Sequence, residues 1–438
     1  MKKIIAMLLA LVMVVALVAC GPKAPAGTVQ GVDYEKGTIL IGNTAATTGA
    51  FAAVGVPFNA GLEAALKAYN DAGGFGEKGL KIEFVHYDDG FDAAQGLTYT
   101  KQLVEDDKVF ALVGHFGTNT VGATLDYIKA TGVPTPYFAT GISALYGEAL
   151  TGKEACYFPV QPIYNGEGRM LFARAVATTE NNMGLGGTKI GVIATTDDAG
   201  SGLLAGIKRQ AEEAPNIKVV VQEVDPAGTD YTGAANVLKN EGCDVVIIAA
   251  NQAPMAIAMN AMRDVGYNAK VITSYVSASV ATLGALVDTG AVTADRPIYV
   301  TSWMDATTEQ GLAEYGVFAE AQLAWEAANG IDASNTFVLN SYAMAGYVAG
   351  QLFIHGLNQL EAKGLELTWE NFTVAMESAP FHIPMGGDID YAKGDRLGVT
   401  SLSLSTISLQ KNADTGAYEL LTLSPIMSMN DVWATVGK

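Results

Sequence analysis

The chain has 438 residues and a formal charge of −19 at pH 7, with 26 Lys and Arg against 45 Asp and Glu. That balance excludes a nucleic-acid partner, whose phosphates need a basic footprint, and electrostatic docking on anionic lipid. At roughly 150 residues per domain the length gives two or three domains.

Lys2 and Lys3 precede an unbroken apolar run over 4–19, short for a membrane span and right for an export signal. Its end, Leu17-Val18-Ala19-Cys20, resembles the bacterial lipoprotein box, in which the Cys is diacylated and becomes the new N-terminus. A plain signal peptide or a membrane anchor is the competing reading. The position of Cys20 and the GPKAPAG tether behind it favour the lipoprotein. Residues 1–19 are thus expected to be removed and 20–37 to form a flexible tether. Losing Lys2 and Lys3 takes the charge from −19 to −21, which leaves the anchoring to acyl chains. Cys156 and Cys243 fall in different segments and are expected as buried, free thiols.

From Thr38 strand-like and helix-like segments alternate. TILIGNTA reads as a strand. PFNAGLEAALKAYNDAGG follows as a helix with Phe58, Leu62, Ala65, Leu66 and Tyr69 on one face. LKIEFVHY, VFALVGH and VPTPYFAT continue as strands, separated by helices in AAQGLTYTKQLVEDD and NTVGATLDYIKATG. The pattern restarts after CYFPVQP. Strands KIGVIATT, KVVVQEVD, DVVIIAA, AKVITSYV and RPIYVTSW enclose helices over 201–214, 231–241 and 254–265. Long helices are expected near 309–328 and 336–362. A hairpin in TSLSLSTISLQKNADTGAYELL turns at Asp414-Thr415-Gly416. Met255, Met259 and Met262 share one helix face and read as core.

Such alternation builds α/β units with parallel sheets covered on both faces. Two of them, with the chain crossing more than once, give two lobes around a cleft, and ligands sit beyond the carboxyl ends of the strands. The cleft is therefore expected to be lined by 44–51, 87–91, 115–120 and 139–143 from the first unit. Residues 195–201, 250–254 and 274–277 would line it from the second.

The sequence offers little for catalysis. There is no Gly-x-Ser-x-Gly elbow, and four histidines are present: His86, His115, His355 and His382. His115, at a strand end, reads as a donor to nearby backbone before it reads as a base. No His-x-x-x-His or Cys-x-x-Cys spacing indicates a metal. Asp88-Asp89-Gly90 with Asp92 lacks the later bidentate Glu of a calcium loop and reads as a turn or helix cap. Neither Gly-x-Gly-x-x-Gly after the first strand nor a Walker motif is present, so no cofactor and no enzymatic activity are expected.

IGNTAATTGAFAAVGVPFNAGLEAALKAYNDAGG, the YDDG turn, KVFALVGHFGTNT and VPTPYFATG together resemble the branched-chain amino-acid-type binding proteins of ABC importers. The likeness runs from about Thr38 to the C-terminal hairpin. It implies the type I periplasmic binding protein fold: two doubly wound parallel-sheet lobes joined by a multi-crossover hinge. Lobe I would comprise 38–160 plus 305–385, and lobe II 161–304 plus 386–438. The implied function is a lipid-anchored, extracytoplasmic monomer that closes on a small amino-acid-like or amphipathic solute and hands it to permease subunits. A ligand-sensing ectodomain serving a receptor or kinase is the alternative, since one fold serves both uses.

The resemblance also implies site residues. The Thr118 hydroxyl would grip a carboxylate beside Asn119 at a helix start, where unpaired N–H groups and the helix dipole suit oxygen. The Phe138 carbonyl and Thr140 would hold the ammonium and carboxylate. This chain departs from the pattern at Val54, Ala199 and Asn251-Gln252, where relatives carry aromatics, and near Tyr275, where they carry the acid that meets the ammonium. Asp198 is the residue available to replace that charge. Phe51, Tyr275 and Trp303 are expected to clamp an apolar body, although Trp303 suits hinge packing equally.

Overall fold

The computed structural model describes residues 30–413 and 415–436; the expected export signal, Cys20 and Asp414 of the expected turn lie outside them. In the first sheet β1 (Thr38–Ala45) pairs in parallel with β2 (Lys81–Asp88) on one side and β3 (Ala111–Leu112) on the other. Helix α1 (Ala52–Asp71) follows β1, α2 (Ala93–Glu105) follows β2, and α3 (Thr118–Thr131) follows the third strand position. Phe58, Leu62, Ala65 and Leu66 of α1 are buried, as the periodicity requires.

VFALVGH and VPTPYFAT do not form continuous strands. The first breaks into β3 and β4 (His115–Phe116), the second into β5 (Thr135–Pro136) and β6 (Phe138–Ala139). Gly114 (φ 70°) and Tyr137 (φ 71°) stand at the breaks in left-handed conformation, and the prolines supply no N–H to a ladder. The ladder nevertheless continues through Gly114 N–H to Pro136 O, His115 N–H to Tyr137 O and Tyr137 N–H to Phe158 O, at 3.0–3.1 Å. β7 (Tyr157–Phe158) closes this side.

After 160–163 the chain enters the second unit with α4 (Tyr164–Val176), a helix that the sequence pattern missed. Its opening YNGEG has weak propensity, and burial of Met170, Leu171 and Phe172 supplies what propensity does not. The second sheet has seven strands in the order β9-β8-β10-β11-β12-β13-β14. These are β8 (Lys189–Thr195), β9 (Lys218–Val224), β10 (Val245–Ala249), β11 (Lys270–Thr273), β12 (Ile298–Ser302), β13 (Ser401–Ile407) and β14 (Leu420–Ser428). The first five are parallel; the last two form the antiparallel C-terminal hairpin.

Helices α5 (Asp198–Ala211), α6 (Thr232–Glu241) and α7 (Gln252–Asp264) join its strands, and the short α8 (Val280–Asp288) was not foreseen. Met255, Met259 and Met262 are fully buried on α7. Cys156 and Cys243 are free and buried, and burial pushes the Cys156 thiol up to about 12.

Residues after β12 return to the first lobe. Helix α9 (Glu309–Ala328) has the expected bounds, with the Thr308 side chain capping Gly311 N–H. Helix α10 (Ser341–Lys363) starts at 341 rather than 336, because the Asn340 side chain caps Tyr342 and Ala343 N–H. α10 packs directly on α1: a Cβ at Gly61 would overlap the Ala343 carbonyl, and one at Gly346 the Phe58 carbonyl. Helix α11 (Trp369–Met376), also unforeseen, packs on α10.

Two buried arginines fasten the tail, one to each lobe. Arg396 donates to the carbonyls of Tyr157, Ala155, Tyr391 and Asp395 and pairs with Glu377 at 2.6 Å. Its guanidinium also lies 4.5 Å from the Phe158 ring centre. Arg174 on α4 donates to Leu402 O and Ser424 Oγ of the hairpin, both at 3.0 Å. Tyr391 packs edge-on against Phe158 and donates to Pro159 O. Residues 388–396 thus sit on the first lobe, and the last crossing falls near Val399, whose N–H bonds Val160 O at 2.9 Å.

Candidate functional site

A cavity of about 140 Å³ lies between the lobes. From the first lobe come Phe51, Val54, Phe91, Phe116, Thr118 and Ala139. Asn251, Gln252, Tyr275 and Val276 face them from the strand ends of the second. The crossings contribute Gln161, Tyr164, Ser302, Trp303 and Met304, and α10 adds Ser341, Tyr342 and Ala345.

The apolar wall is built locally. Asp89 Oδ1 accepts the Phe91 N–H at 2.9 Å and stabilises a turn in which Phe91 has φ 67°. That turn lays the Phe91 ring on Phe51, with centroids 3.9 Å apart and planes within 15°. A Cβ at Gly117 would press on the Phe91 ring, and Gly117 has φ 92°, so glycine is required twice over. Asp89 Oδ2 accepts from Thr120, and Asp92 caps α2 through Ala94 and Gln95 N–H. Hydrogen bonding within the turn thus employs both Asp89 oxygens and caps the helix through Asp92.

Gly117 is the N-cap of α3 and brings no side-chain acceptor to the first turn. Thr118 does not cap the helix. Its hydroxyl meets Thr140 Oγ1 at 2.9 Å and the Tyr164 hydroxyl at 3.4 Å, and Thr140 lies 3.5 Å from Tyr164. Three hydroxyls in mutual contact hold three protons, and the two long contacts leave donors to spare for a ligand oxygen beside uncapped N–H groups.

Of the eight expected ligand residues, Thr118, Phe51, Tyr275 and Asn251 line the cavity. Thr140 stands behind Thr118. Asn119 is exposed and reaches only Phe91 O, at 3.4 Å. The Phe138 side chain is buried edge-on to His115 and Tyr157. Asp198 is exposed at the start of α5, its carboxylate 3.8 Å from where a Cβ on Gly122 of α3 would stand. The neighbouring Asp197 caps α5 through Gly200 N–H and takes the Thr195 hydroxyl at 2.6 Å.

His115 lies outside the lining, and its partner is a side chain rather than the backbone. Thr124 donates to Thr120 O, so the Thr124 oxygen accepts from His115 Nε2 at 2.9 Å and leaves Nδ1 without a partner. Burial pushes the imidazole down to about 4.

Gln161, Tyr164 and Tyr342 carry no signal in the sequence pattern. Tyr164 and Gln161 belong to the first crossing, which carries no pattern of its own. Tyr342 was placed inside a helix, whereas it stands in the first turn. Tyr275 donates to Gln161 Oε1 and Pro162 O at 3.2 Å, and Gln161 donates to Tyr137 at 2.8 Å. Tyr342 reaches from the first lobe to Gln252 Oε1 and Val276 O of the second, both at 3.5 Å. Ser341 and Tyr342 also border an outer groove of about 450 Å³, lined by Ser279, Val280, Asn340, Lys411 and Tyr418.

Below the cavity, Glu167 of α4 accepts from Ser274 Oγ (2.6 Å), Thr301 Oγ1 (2.6 Å) and Tyr275 N–H (2.9 Å). This fully buried carboxylate ties α4 to the ends of β11 and β12. Burial raises its pKa to about 7, against the pull of those three donors.

Two sheets whose strand ends face each other over a chamber, with three chain crossings behind it, define a two-lobed ligand-binding protein. A family model described as "Periplasmic binding protein" matches residues 38–413, and the chain belongs to that family. It is similar to an amino acid binding protein of Pseudomonas aeruginosa, 26% identical over 263 residues. That match takes in 60% of this chain and 65% of the relative's length.

In structure it resembles a fatty acid ABC transporter substrate-binding protein from Thermomonospora curvata, with TM-score 0.74 and 18% identity. The overlay covers 93% of this chain and 96% of the other. A branched-chain amino acid ABC transporter protein from Thermus thermophilus with bound valine gives TM-score 0.71 and 16% identity, over 90% and 98% of the chains. Both share the type I fold.

Proposed function

We propose that the chain is a lipid-anchored, extracytoplasmic solute-binding protein of an ABC importer. It works as a monomer and closes two lobes on a small amphipathic molecule. The observation that carries this reading is the chamber itself, drawn from both sheets' strand ends and from the first two crossings. Lobe I is taken as 38–160 with 305–400, and lobe II as 161–304 with 401–436. Ligand contacts bridging the two favour the closed arrangement of a pre-existing pair, and the closed form is what a permease would receive. Binding rather than turnover suits a site whose hydroxyls touch one another and no imidazole or carboxylate.

Thr118→Ala combined with Thr140→Ala removes both members of the shortest contact in that cluster. Losing both partners together leaves the Tyr164 hydroxyl without its two long contacts at the chamber wall, so melting of the ligand-free protein is expected to fall by less than the loss of either short partner alone would cause. Affinity for the solute that most raises the melting temperature in a metabolite screen is expected to fall at least about tenfold, read by titration calorimetry. Unchanged affinity would remove Thr118 from the site. Separately, Cys20→Ser is expected to move the protein from the membrane to the soluble fraction; persistence on membranes counts against the anchor.

A further inference from the structure

Resting on that reading of the chamber, we infer that the solute is an ammonium-free monocarboxylate with a ring-sized or branched apolar body. None of the residues lining the chamber is Asp, Glu, Lys, Arg or His. The nearest carboxylates are already engaged or turned away. Glu167 lies beneath the floor with its oxygens taken by Ser274, Thr301 and Tyr275. Asp197 spends Oδ1 on Gly200 N–H and the Thr195 hydroxyl, its Oδ2 takes the Nδ2–H of the chamber residue Asn251 at 3.5 Å, and Asp198 is exposed beside α3. Gln161 Oε1 is occupied by the Tyr275 phenol.

An ammonium carried into this space meets no counter-charge. Leaving a buried charge unpaired is costly. The opposite sign fares differently. A carboxylate at Thr118 receives hydroxyl protons from the Thr118–Thr140–Tyr164 cluster and lies at the positive, side-chain-uncapped end of α3. Away from that head, the Phe51–Phe91 stack, Phe116 and Trp303 offer flat apolar surface. The asymmetry lies at the head of the chamber: hydroxyl protons and the positive end of α3 favour an anion there, whereas an ammonium would rest on neutral oxygens alone.

The test compares solutes that differ only in the amino group: phenylalanine with 3-phenylpropanoate, and valine with 3-methylbutanoate. Each is titrated into the mature chain after removal of carried-over ligand. The amine-free member is expected to bind at least about 100-fold more tightly in any pair that binds. Gln161→Glu, which sets a carboxylate beside Tyr275, is expected to narrow that preference at least tenfold; it gives up the donor to Tyr137 and is expected to melt below the parent, so the ratio of affinities within each pair is the readout.

Equal or tighter binding of the amino acids overturns the inference and leaves the solute-binding reading in place. Silence from every member overturns it too. A screen over amides, sugars and longer acids in the same buffer then decides whether the solute-binding reading survives.

Discussion

Replacing Arg396 with methionine is expected to lower the free energy of unfolding by about 3–5 kcal/mol. The guanidinium is fully buried and spends its donors on four carbonyls and the Glu377 carboxylate. Methionine fills much of the volume, so the loss is polar: carbonyls of Tyr157, Ala155, Tyr391 and Asp395 lose a partner, and Glu377 loses its counter-charge. Arg396→Lys keeps the charge on a single nitrogen that cannot span those acceptors, so it is expected to recover less than half of the deficit. Urea unfolding of the three proteins reads the result directly. A deficit under about 1 kcal/mol for the methionine variant would mean that the buried donors stabilise little. Because Arg396 holds the segment just before the last crossing, its loss is expected to expose 388–396 to protease first.

The second large effect is a pH dependence lodged at Glu167. Its ordinary value of 4.5 is raised by burial to about 7. Below 4.5 folded and unfolded chains both hold the proton, and the contribution of the neutral carboxyl is intact. Between 4.5 and 7 the unfolded chain ionises while the folded one does not, so stability falls as pH rises. Above 7 both are ionised and the loss is complete, about 3 kcal/mol in all.

His115 works in the other direction. Its folded value near 4 means that stability is lost as pH falls from 6.5 toward 4. The two oppose each other across the overlap, so the profile of the parent alone is ambiguous. The difference between the parent and Glu167→Gln isolates the carboxyl. The amide can still accept from Tyr275 and Thr301 through Oε1 and donate to Ser274, at every pH. That difference is expected to shrink by about 3 kcal/mol between pH 4.5 and 7.5 and then stay level. A difference constant with pH would assign the titration elsewhere.

Elements with a strong period were legible in the sequence: β1, α1, the parallel strands of the second sheet, and α9 to the residue. Three helices were not: α4 has no side-chain cap and a weak opening, while α8 and α11, though capped by Ser279 and Thr368, run only nine and eight residues, too short to show a period. Interrupted strands at Gly114 and Tyr137 were missed for a related reason. Backbone with positive φ at a tyrosine is imposed by its surroundings and leaves no local mark. At the site, Thr118, Phe51, Tyr275 and Asn251 were found because they follow strands directly. Gln161, Tyr164 and Tyr342 reach the chamber from a crossing and from a helix start, where only the assembled lobes reveal them.

Tyr342 stands between two spaces, the chamber on one side and the wider groove on the other. Tyr342 and Ser341 border both spaces, and the Tyr342 hydroxyl reaches across the lobes in two contacts of 3.5 Å. A turn of that side chain would join the two spaces with no lobe having to swing. Side-chain turns are faster than hinge motions by orders of magnitude. In a protein that closes on its solute as proposed, a turn of Tyr342 would give the displaced solvent an exit that does not require the lobes to reopen.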